Sequence, residues 1–272
     1  MTTIHPFDEA TALTVVGDGR FTGRTSPAYA NMAGPFGGIT AATLLRAAIG
    51  HPERRGDPVA LTVNFCAAIA TGEFEVEARL LRGGKSTQHW QVELRQEGIG
   101  VAASALVVFG EPRRTWSHRP VSAPAVPPAE AVERWTMPGL PAWIDAYDFR
   151  FVTGAPNWRG RAGGEPQSAQ SRLWLRDAPD RPLDHLSLAA LSDAFFIRIF
   201  QVRGGLAPVG TVTLSTYFFA DQAALDRQAS RPLLGTADAK IFSGGFFDQT
   251  AELWADDGNL LATSTQVVWY KE

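Results

Sequence analysis

The sequence contains two related copies of one segment, and this repeat constrains the possible folds more than any other feature. Residues 100–110 read GVAASALVVFG and residues 260–270 read LLATSTQVVWY, with identical residues at four positions. Upstream of each lies a longer related segment, 82–98 and 243–258. Both carry a Gly-Gly pair, a glutamine four residues after the second glycine and an acidic turn that ends on glycine. Such segments are typical of long antiparallel hairpins, so two halves of similar topology are expected.

One apolar helix is predicted before the hairpin of each half. The first begins at Gly37-Gly38 and ends at Gly50, and the second follows an Asp184 cap and runs through LSLAALSDAFFIRIF to Gly204. Segments 59–68 and 212–221, rich in β-branched and aromatic residues, are predicted strands. Each half is therefore an antiparallel sheet that must wrap around one helix. This α+β arrangement is the outline of a hotdog domain, present twice, with the two sheets joined edge to edge.

A proline-rich stretch separates the two halves. Seven prolines lie between residues 111 and 141, a composition typical of an extended linker. The predicted organisation is a first hotdog domain over 1–111, a linker over 112–141 and a second hotdog domain over 142–272. A glycine- and proline-rich segment, 154–170, is predicted to be a loop within the second half.

Composition excludes several classes of function. The net charge is −3 and no run of Lys and Arg occurs, so nucleic acid is not an expected partner. No apolar stretch is long enough to cross a membrane. Cys66 is the only cysteine, which leaves no disulfide and favours a cytoplasmic protein. The five histidines lack metal-binding spacing, so no metal ion and no other cofactor is predicted.

Asp193 interrupts the apolar pattern of the second predicted helix. Aligned on their alanine pairs, AATLLRAA (41–48) and AALSDAFF (189–196) place Asp193 where the first half has Leu45. None of the residues three or four positions away in the helix carries a positive charge that would offset the cost of burying a carboxylate. The second half has therefore gained a polar group at a position where packing calls for an apolar one.

The last strand of the second half gains an amide in the same way. At an offset of 160 residues, Gln266 stands where the first half has Leu106. Strand alternation also places the hydroxyls of Thr211, Thr213 and Ser215 on one face of the strand that follows the second helix.

A carboxylate, an amide and a hydroxyl that converge can hold a water molecule. The carboxylate accepts a proton from the water, and the other two groups fix its orientation toward an electrophile. The pattern thus predicts a hydrolytic site without a covalent nucleophile. The structural alternative is that Asp193 caps a neighbouring loop, that Gln266 satisfies backbone groups at a sheet edge, and that the hydroxyls are ordinary strand residues.

The sequence resembles the acyl-CoA thioesterase II type of tandem hotdog protein along most of its length. The segments that carry the resemblance are PFGGITAATLLRAA (35–48), RLLRGGKSTQHWQVELRQEG (79–98), LSDAFF (191–196), GTVTLSTYFF (210–219) and DDGNLLATSTQ (256–266). In that family an Asp of the second helix, a Thr that opens the next strand and a Gln of the last strand orient the hydrolytic water. The resemblance assigns these roles to Asp193, Thr211 and Gln266. The family often has Asp or Asn two residues after the Thr, where this chain has Thr213, a further candidate hydroxyl.

The resemblance also implies a role for the start of the first helix. The backbone N–H groups of Gly37 and Gly38, at the positive end of the helix, are candidates for an oxyanion hole that binds the thioester oxygen. The alternative is that glycine is needed there for close packing of the turn.

The function expected from these observations is hydrolysis of an acyl-CoA to a free acid and CoA, carried out by a homodimer of double-hotdog chains. Two alternatives stay open. The first is a catalytically weak acyl-CoA or lipid-binding protein of the same fold. The second is a hotdog enoyl-CoA hydratase that would use Asp180 and His185, whose spacing matches an acid–base pair although the residues between them differ from that family's.

Overall fold

The computed structural model describes residues 4–156 and 166–271. Within them, thirteen strands form one sheet in which neighbouring strands pair antiparallel, in the order β1-β2-β4-β5-β6-β3-β9-β13-β12-β10-β8-β7, with β11 beside β12. The strands are β1 (Thr14–Gly17), β2 (Arg20–Arg24), β3 (Asp57–Phe65), β4 (Glu73–Gly83), β5 (Thr87–Gln96), β6 (Gly100–Gly110), β7 (Tyr147–Thr153), β8 (Ser171–Asp177), β9 (Val209–Phe218), β10 (Leu233–Asp238), β11 (Phe242–Ser243), β12 (Phe246–Trp254) and β13 (Leu260–Tyr270).

In the residues that the structure describes, five α-helices accompany the sheet, and two of them form its centre. They are α1 (Pro6–Ala10), α2 (Gly37–Ile49), α3 (His185–Leu191), α4 (Arg198–Arg203) and α5 (Gln222–Gln228). Helices α2 and α3 are buried and pack against each other, with each half of the sheet curved around its own helix. The predicted α+β fold of two sheet-wrapped helices is confirmed.

The two halves meet where β3 pairs with β9. Thr62 lies directly opposite Ser215, and their hydroxyl oxygens are 3.0 Å apart. These two residues also occupy equivalent positions in segments 59–68 and 212–221, which align at an offset of 153 residues. Because equivalent residues face each other at the junction, the halves are related by an approximate twofold axis that passes between Thr62 and Ser215.

The first helix follows the prediction, but the second does not. Helix α2 ends at Ile49 with Gly50 as its C-cap, and Asp184 caps α3 by accepting a hydrogen bond from the Ser187 N–H at 2.8 Å. Helix α3 then ends at Leu191, whereas a continuous helix was predicted to Gly204. The chain passes through six non-helical residues before α4 begins at Arg198. Segment 192–197 contains neither glycine nor proline. Hydrogen bonds from side chains of the sheet stabilise the interruption instead.

The alignment of the last strands at a constant offset is wrong about side-chain direction. Leu106 is 52% exposed on the outer face of the sheet, whereas Gln266 is 2% exposed on the inner face. A shift of one residue between the halves moves every side chain to the opposite face of a strand. Gln266 is a buried polar residue, as expected, but Leu106 is not its equivalent in space.

Between the halves, residues 111–128 contain neither helix nor strand, and two short 3-10 helices follow at Ala129–Ala131 and Ala142–Ala146. The predicted loop over 154–170 lies partly outside the described residues, which resume at Pro166.

Candidate active site

Asp193 lies two residues after the end of α3, in the non-helical segment 192–197. Leu45, which the sequence alignment pairs with Asp193, lies in the interior of the continuous helix α2. The surroundings of Leu45 therefore do not predict those of Asp193. Asp193 is 9% exposed, and Oδ1 accepts a hydrogen bond from Nε2 of Gln266 at 2.9 Å. Burial raises the pKa of the Asp193 carboxyl to about 7, although hydrogen bonds from Gln266 and from the Gly38 N–H act to lower it.

The N-terminus of α2 points at this carboxyl group. The backbone N–H of Gly38 donates a hydrogen bond to Asp193, and the positive end of the helix favours the ionised form of the carboxyl. A β-carbon on Gly37 would lie 2.6 Å from Oδ2 of Asp193, which is closer than such atoms approach. Glycine is therefore required at residue 37 so that the carboxyl can reach the helix end. Gly37 and Gly38, the candidates for the oxyanion hole, thus contact Asp193, the candidate general base.

Thr211 completes a short chain of hydrogen bonds. Its hydroxyl donates to Oε1 of Gln266 at 3.4 Å, which fixes the amide so that Nε2 faces Asp193. A β-bulge between β9 and β13 places Thr211 opposite Val268 on the inner face. Thr213 instead lies opposite Val267, which is 41% exposed on the outer face. The structure therefore brings Asp193, Gln266 and Thr211 together and leaves Thr213 on the other side of the sheet, contrary to the expectation that both threonines share one face.

Aromatic rings close one side of the site. Phe65 lies beside Gly37, and Phe36, which precedes α2, stacks on Trp143 with ring centroids 4.2 Å apart. Phe196 packs on Trp143 as well, at 5.9 Å. Of the other aromatic residues that could shape an acyl pocket, Phe195 is in the main core, Phe247 is in a small second cluster with Val268, and Phe246 is half-exposed.

The acid–base pair expected of a hydratase is not assembled. Asp180 is exposed and forms an ion pair with Arg176, whose Nη1 is 2.9 Å from Oδ1 of Asp180. His185 is buried, its Nε2 is 3.2 Å from the Ala220 carbonyl oxygen, and burial lowers its pKa. The two side chains have separate partners.

Gln249 is a site neighbour that sequence reasoning missed. It lies directly opposite Gln266 on β12, is buried, and hydrogen-bonds to the backbone on the C-terminal side of Asp193. The sequence repeat did single out Gln249, since it is the glutamine that follows the Gly-Gly pair of the second half. Its contact with segment 192–197 depends on the end of α3, which the sequence did not predict.

In the part of the chain that the structure describes, no cluster of three or more His, Cys, Asp or Glu side chains could hold a metal ion. Among the same residues, no helix is both long and apolar enough to span a membrane.

The fold and the site define a class of protein, namely tandem hotdog proteins with a buried carboxyl group between the two central helices. Comparison with known families identifies the family within this class. Residues 26–110 match the model of the acyl-CoA thioesterase N-terminal domain, and residues 120–270 match that of the acyl-CoA thioesterase C-terminal domain. The chain belongs to the acyl-CoA thioesterase family. The comparison with curated proteins gave no significant match.

Solved structures show the same fold along the whole chain. A conserved protein of unknown function with a hotdog fold from Alicyclobacillus acidocaldarius is 44% identical, with a TM-score of 0.93 and 99% of each chain covered. The acyl-CoA thioesterase II TesB2 from Mycobacterium marinum is 20% identical, with a TM-score of 0.76 and coverage of 97% of this chain and 98% of that one. The tesB protein of Mycobacterium avium subsp. paratuberculosis is also 20% identical, with a TM-score of 0.77 and 97% of each chain covered.

Proposed function

We propose that the protein hydrolyses an acyl-CoA to a free acid and CoA, with Asp193 as general base. The observation that carries the proposal is a buried carboxyl held between an amide donor from the last strand and the N-terminus of the opposite half's helix. A pKa of about 7 suits a general base near neutral pH, because enough of the group is ionised and it still binds a proton well.

In the proposed reaction, Asp193 removes a proton from a water molecule whose oxygen attacks the thioester carbonyl carbon. Gln266, fixed by Thr211, holds the Asp193 carboxyl in position. The developing oxyanion is bound by the N–H of Gly37, since the first N–H groups of a helix have no partner inside it. The carbon–sulfur bond then breaks, the CoA sulfur takes the proton from Asp193, and the acid leaves. No step requires a metal ion or an organic cofactor.

Thiol release from short, medium, long and aromatic acyl-CoAs tests this proposal. The wild-type protein is expected to turn over at least one class, and Asp193→Ala is expected to lose ~10²–10⁴ of that activity, the contribution typical of a general base. Full activity in the variant would contradict the role of Asp193. Tight acyl-CoA binding without turnover would favour the acyl-CoA or lipid-binding alternative. Loss of crotonyl-CoA absorbance without thiol release would indicate a hydratase.

We propose further that two chains form a homodimer and that the reaction belongs to cytoplasmic lipid metabolism. The four central strands present an uncharged outer face, since segments 60–64, 104–108, 213–217 and 263–267 contain no charged residue. An uncharged surface of this kind favours pairing with a second copy. The exposed free thiol of Cys66 accords with a reducing compartment.

A further inference from the structure

Each half of the chain contains a buried glutamine that binds the backbone just after its own helix. In the first half, Gln88 Nε2 donates to the Glu53 carbonyl at 2.8 Å, and its Oε1 accepts from the Arg55 N–H at 2.7 Å. In the second half, Gln249 Nε2 donates to the Phe195 carbonyl at 3.3 Å, and its Oε1 accepts from the Arg198 N–H at 3.2 Å. These are the two glutamines that follow the Gly-Gly pairs of the repeat.

The two contacts occur at the same distance from the helix ends. Glu53 is four residues after the last residue of α2, and Phe195 is four residues after the last residue of α3. In both halves, therefore, a buried glutamine of the sheet fixes the chain after the helix by binding one backbone carbonyl and one backbone N–H. The halves differ in what the fixed segment carries, because Asp193 lies between the end of α3 and Phe195.

Other buried groups of the second half hold the same segment. The Ser264 hydroxyl donates to the Ser192 carbonyl at 2.9 Å, and Nε of the buried Arg198 donates to the Phe196 carbonyl at 2.7 Å. Gln249 differs from both because it lies directly opposite Gln266 in the β12–β13 ladder. One glutamine thus holds the carboxyl of Asp193 and its neighbour holds the backbone that carries it.

We propose that Gln249 is a positioning residue for hydrolysis, acting through the backbone of segment 193–198 to keep the Asp193 carboxyl against Gln266 and Gly38. The proposal rests on the proposed function of Asp193. The first three N–H groups of segment 192–197 bond to carbonyls of α3. Beyond them, the carbonyls of Phe195 and Phe196 accept hydrogen bonds from the side chains of Gln249 and Arg198, so the position of the segment depends in part on side chains of this kind. A displacement of about 1 Å in a reacting group can cost ~10²-fold in rate.

The chain supplies a matched control. Gln249→Met and Gln88→Met each replace a buried amide by an apolar side chain of similar length, and each removes the partner of one backbone carbonyl and one backbone N–H. Gln88→Met also removes the acceptor of the Trp90 indole N–H, whose Nε1 is 3.4 Å from Oε1 of Gln88. Both variants are expected to lower Tm by similar amounts. Gln249→Met is expected to lower kcat for thiol release by ~10–100-fold with KM within about threefold, while Gln88→Met keeps kcat within about threefold of wild type.

The pH dependence of kcat/KM distinguishes a positioning role of Gln249 from a general loss of packing. Because Gln266 and Gly38 lower the pKa of Asp193, a carboxyl that moves away from them should titrate at higher pH. The apparent pKa of kcat/KM is expected to rise in Gln249→Met and to stay unchanged in Gln88→Met. Should either Met variant fail to fold, Gln249→Asn and Gln88→Asn make the same comparison with a shortened amide.

Asp193→Ala, assayed in the same experiment, distinguishes failure of the positioning role of Gln249 from failure of the proposed function. An equal effect on kcat from the Gln249 and Gln88 variants, with Asp193→Ala inactive, would overturn the positioning role and leave the thioesterase proposal intact. Full turnover in Asp193→Ala would overturn the role of Asp193 as general base, and an absence of thiol release from every acyl-CoA by the wild-type protein would overturn the thioesterase proposal itself. A larger kcat loss and a raised apparent pKa only at Gln249 would support the positioning role.

Discussion

Asp193 experiences opposing influences on its pKa. Burial raises the pKa to about 7, while hydrogen bonds from Gln266 and Gly38 lower it without cancelling the effect of burial. A raised pKa means that the folded protein binds this proton more tightly than the unfolded chain does. The stability contributed by Asp193 is therefore highest below pH ~4 and falls as the pH rises through about 7. The carboxyl is least favourable to folding at the pH where it can act as a base, which argues for a functional rather than a structural role.

Single residues were predictable from the sequence where burial alone decided the outcome. Asp193 and Gln266 were recognisable because polar groups occur in apolar segments, and both prove to be buried. The direction of Thr211 relative to Thr213 was not predictable, since a β-bulge near Val212 changes which face the strand presents.

At the scale of elements, the start of α2 and the end of α3 form the candidate site together. Helix α2 was predictable from its apolar run and its flanking glycines. The end of α3 was not, because Gln249 and Ser264, distant in sequence, supply the hydrogen bonds that stabilise the non-helical segment after it. Helix propensity is a weak guide wherever tertiary contacts of this kind exist.

The two glycines at the start of α2 should respond differently to substitution. In Gly37→Ala the atoms nearest the new β-carbon belong to the Asp193 carboxyl and the Phe65 ring, which are side chains, so we expect kcat/KM to fall by ~10²-fold with little change in Tm. In Gly38→Ala the β-carbon would lie 2.4 Å from the Phe36 ring and 2.5 Å from the Ala190 carbonyl oxygen. That variant should lose about 1–3 kcal/mol of stability. Thermal unfolding and thiol release, measured on both proteins, would contradict this account if the two variants behaved alike.

For the molecule as a whole, the duplication allowed the architecture to be predicted. Equivalent strands had to pair around a twofold axis, and the Thr62–Ser215 contact lies on it. The duplication did not reveal that the two halves differ in helix length, with thirteen residues in α2 and seven in α3. That difference brings Asp193 to the helix end of the other half, so the candidate site contains groups from both halves.

The uncharged outer face leads to a prediction about assembly. We expect light scattering to give the mass of two chains at micromolar concentration. Tyr217→Lys places a charge on this face, where Tyr217 is 45% exposed, and should shift the protein toward the monomer without loss of Tm. A wild-type monomer under these conditions would rule out the proposed homodimer.

The pH dependence of kcat/KM for thiol release from an acyl-CoA tests the central claim most directly. Because the base must be ionised, the account predicts that kcat/KM rises with pH through an apparent pKa of about 7 and then reaches a plateau. In Asp193→Asn, both the rise and most of the activity should be lost. A wild-type profile without a titration near pH 7, or an Asp193→Asn variant that keeps the wild-type profile, would contradict the claim that Asp193 activates the hydrolytic water.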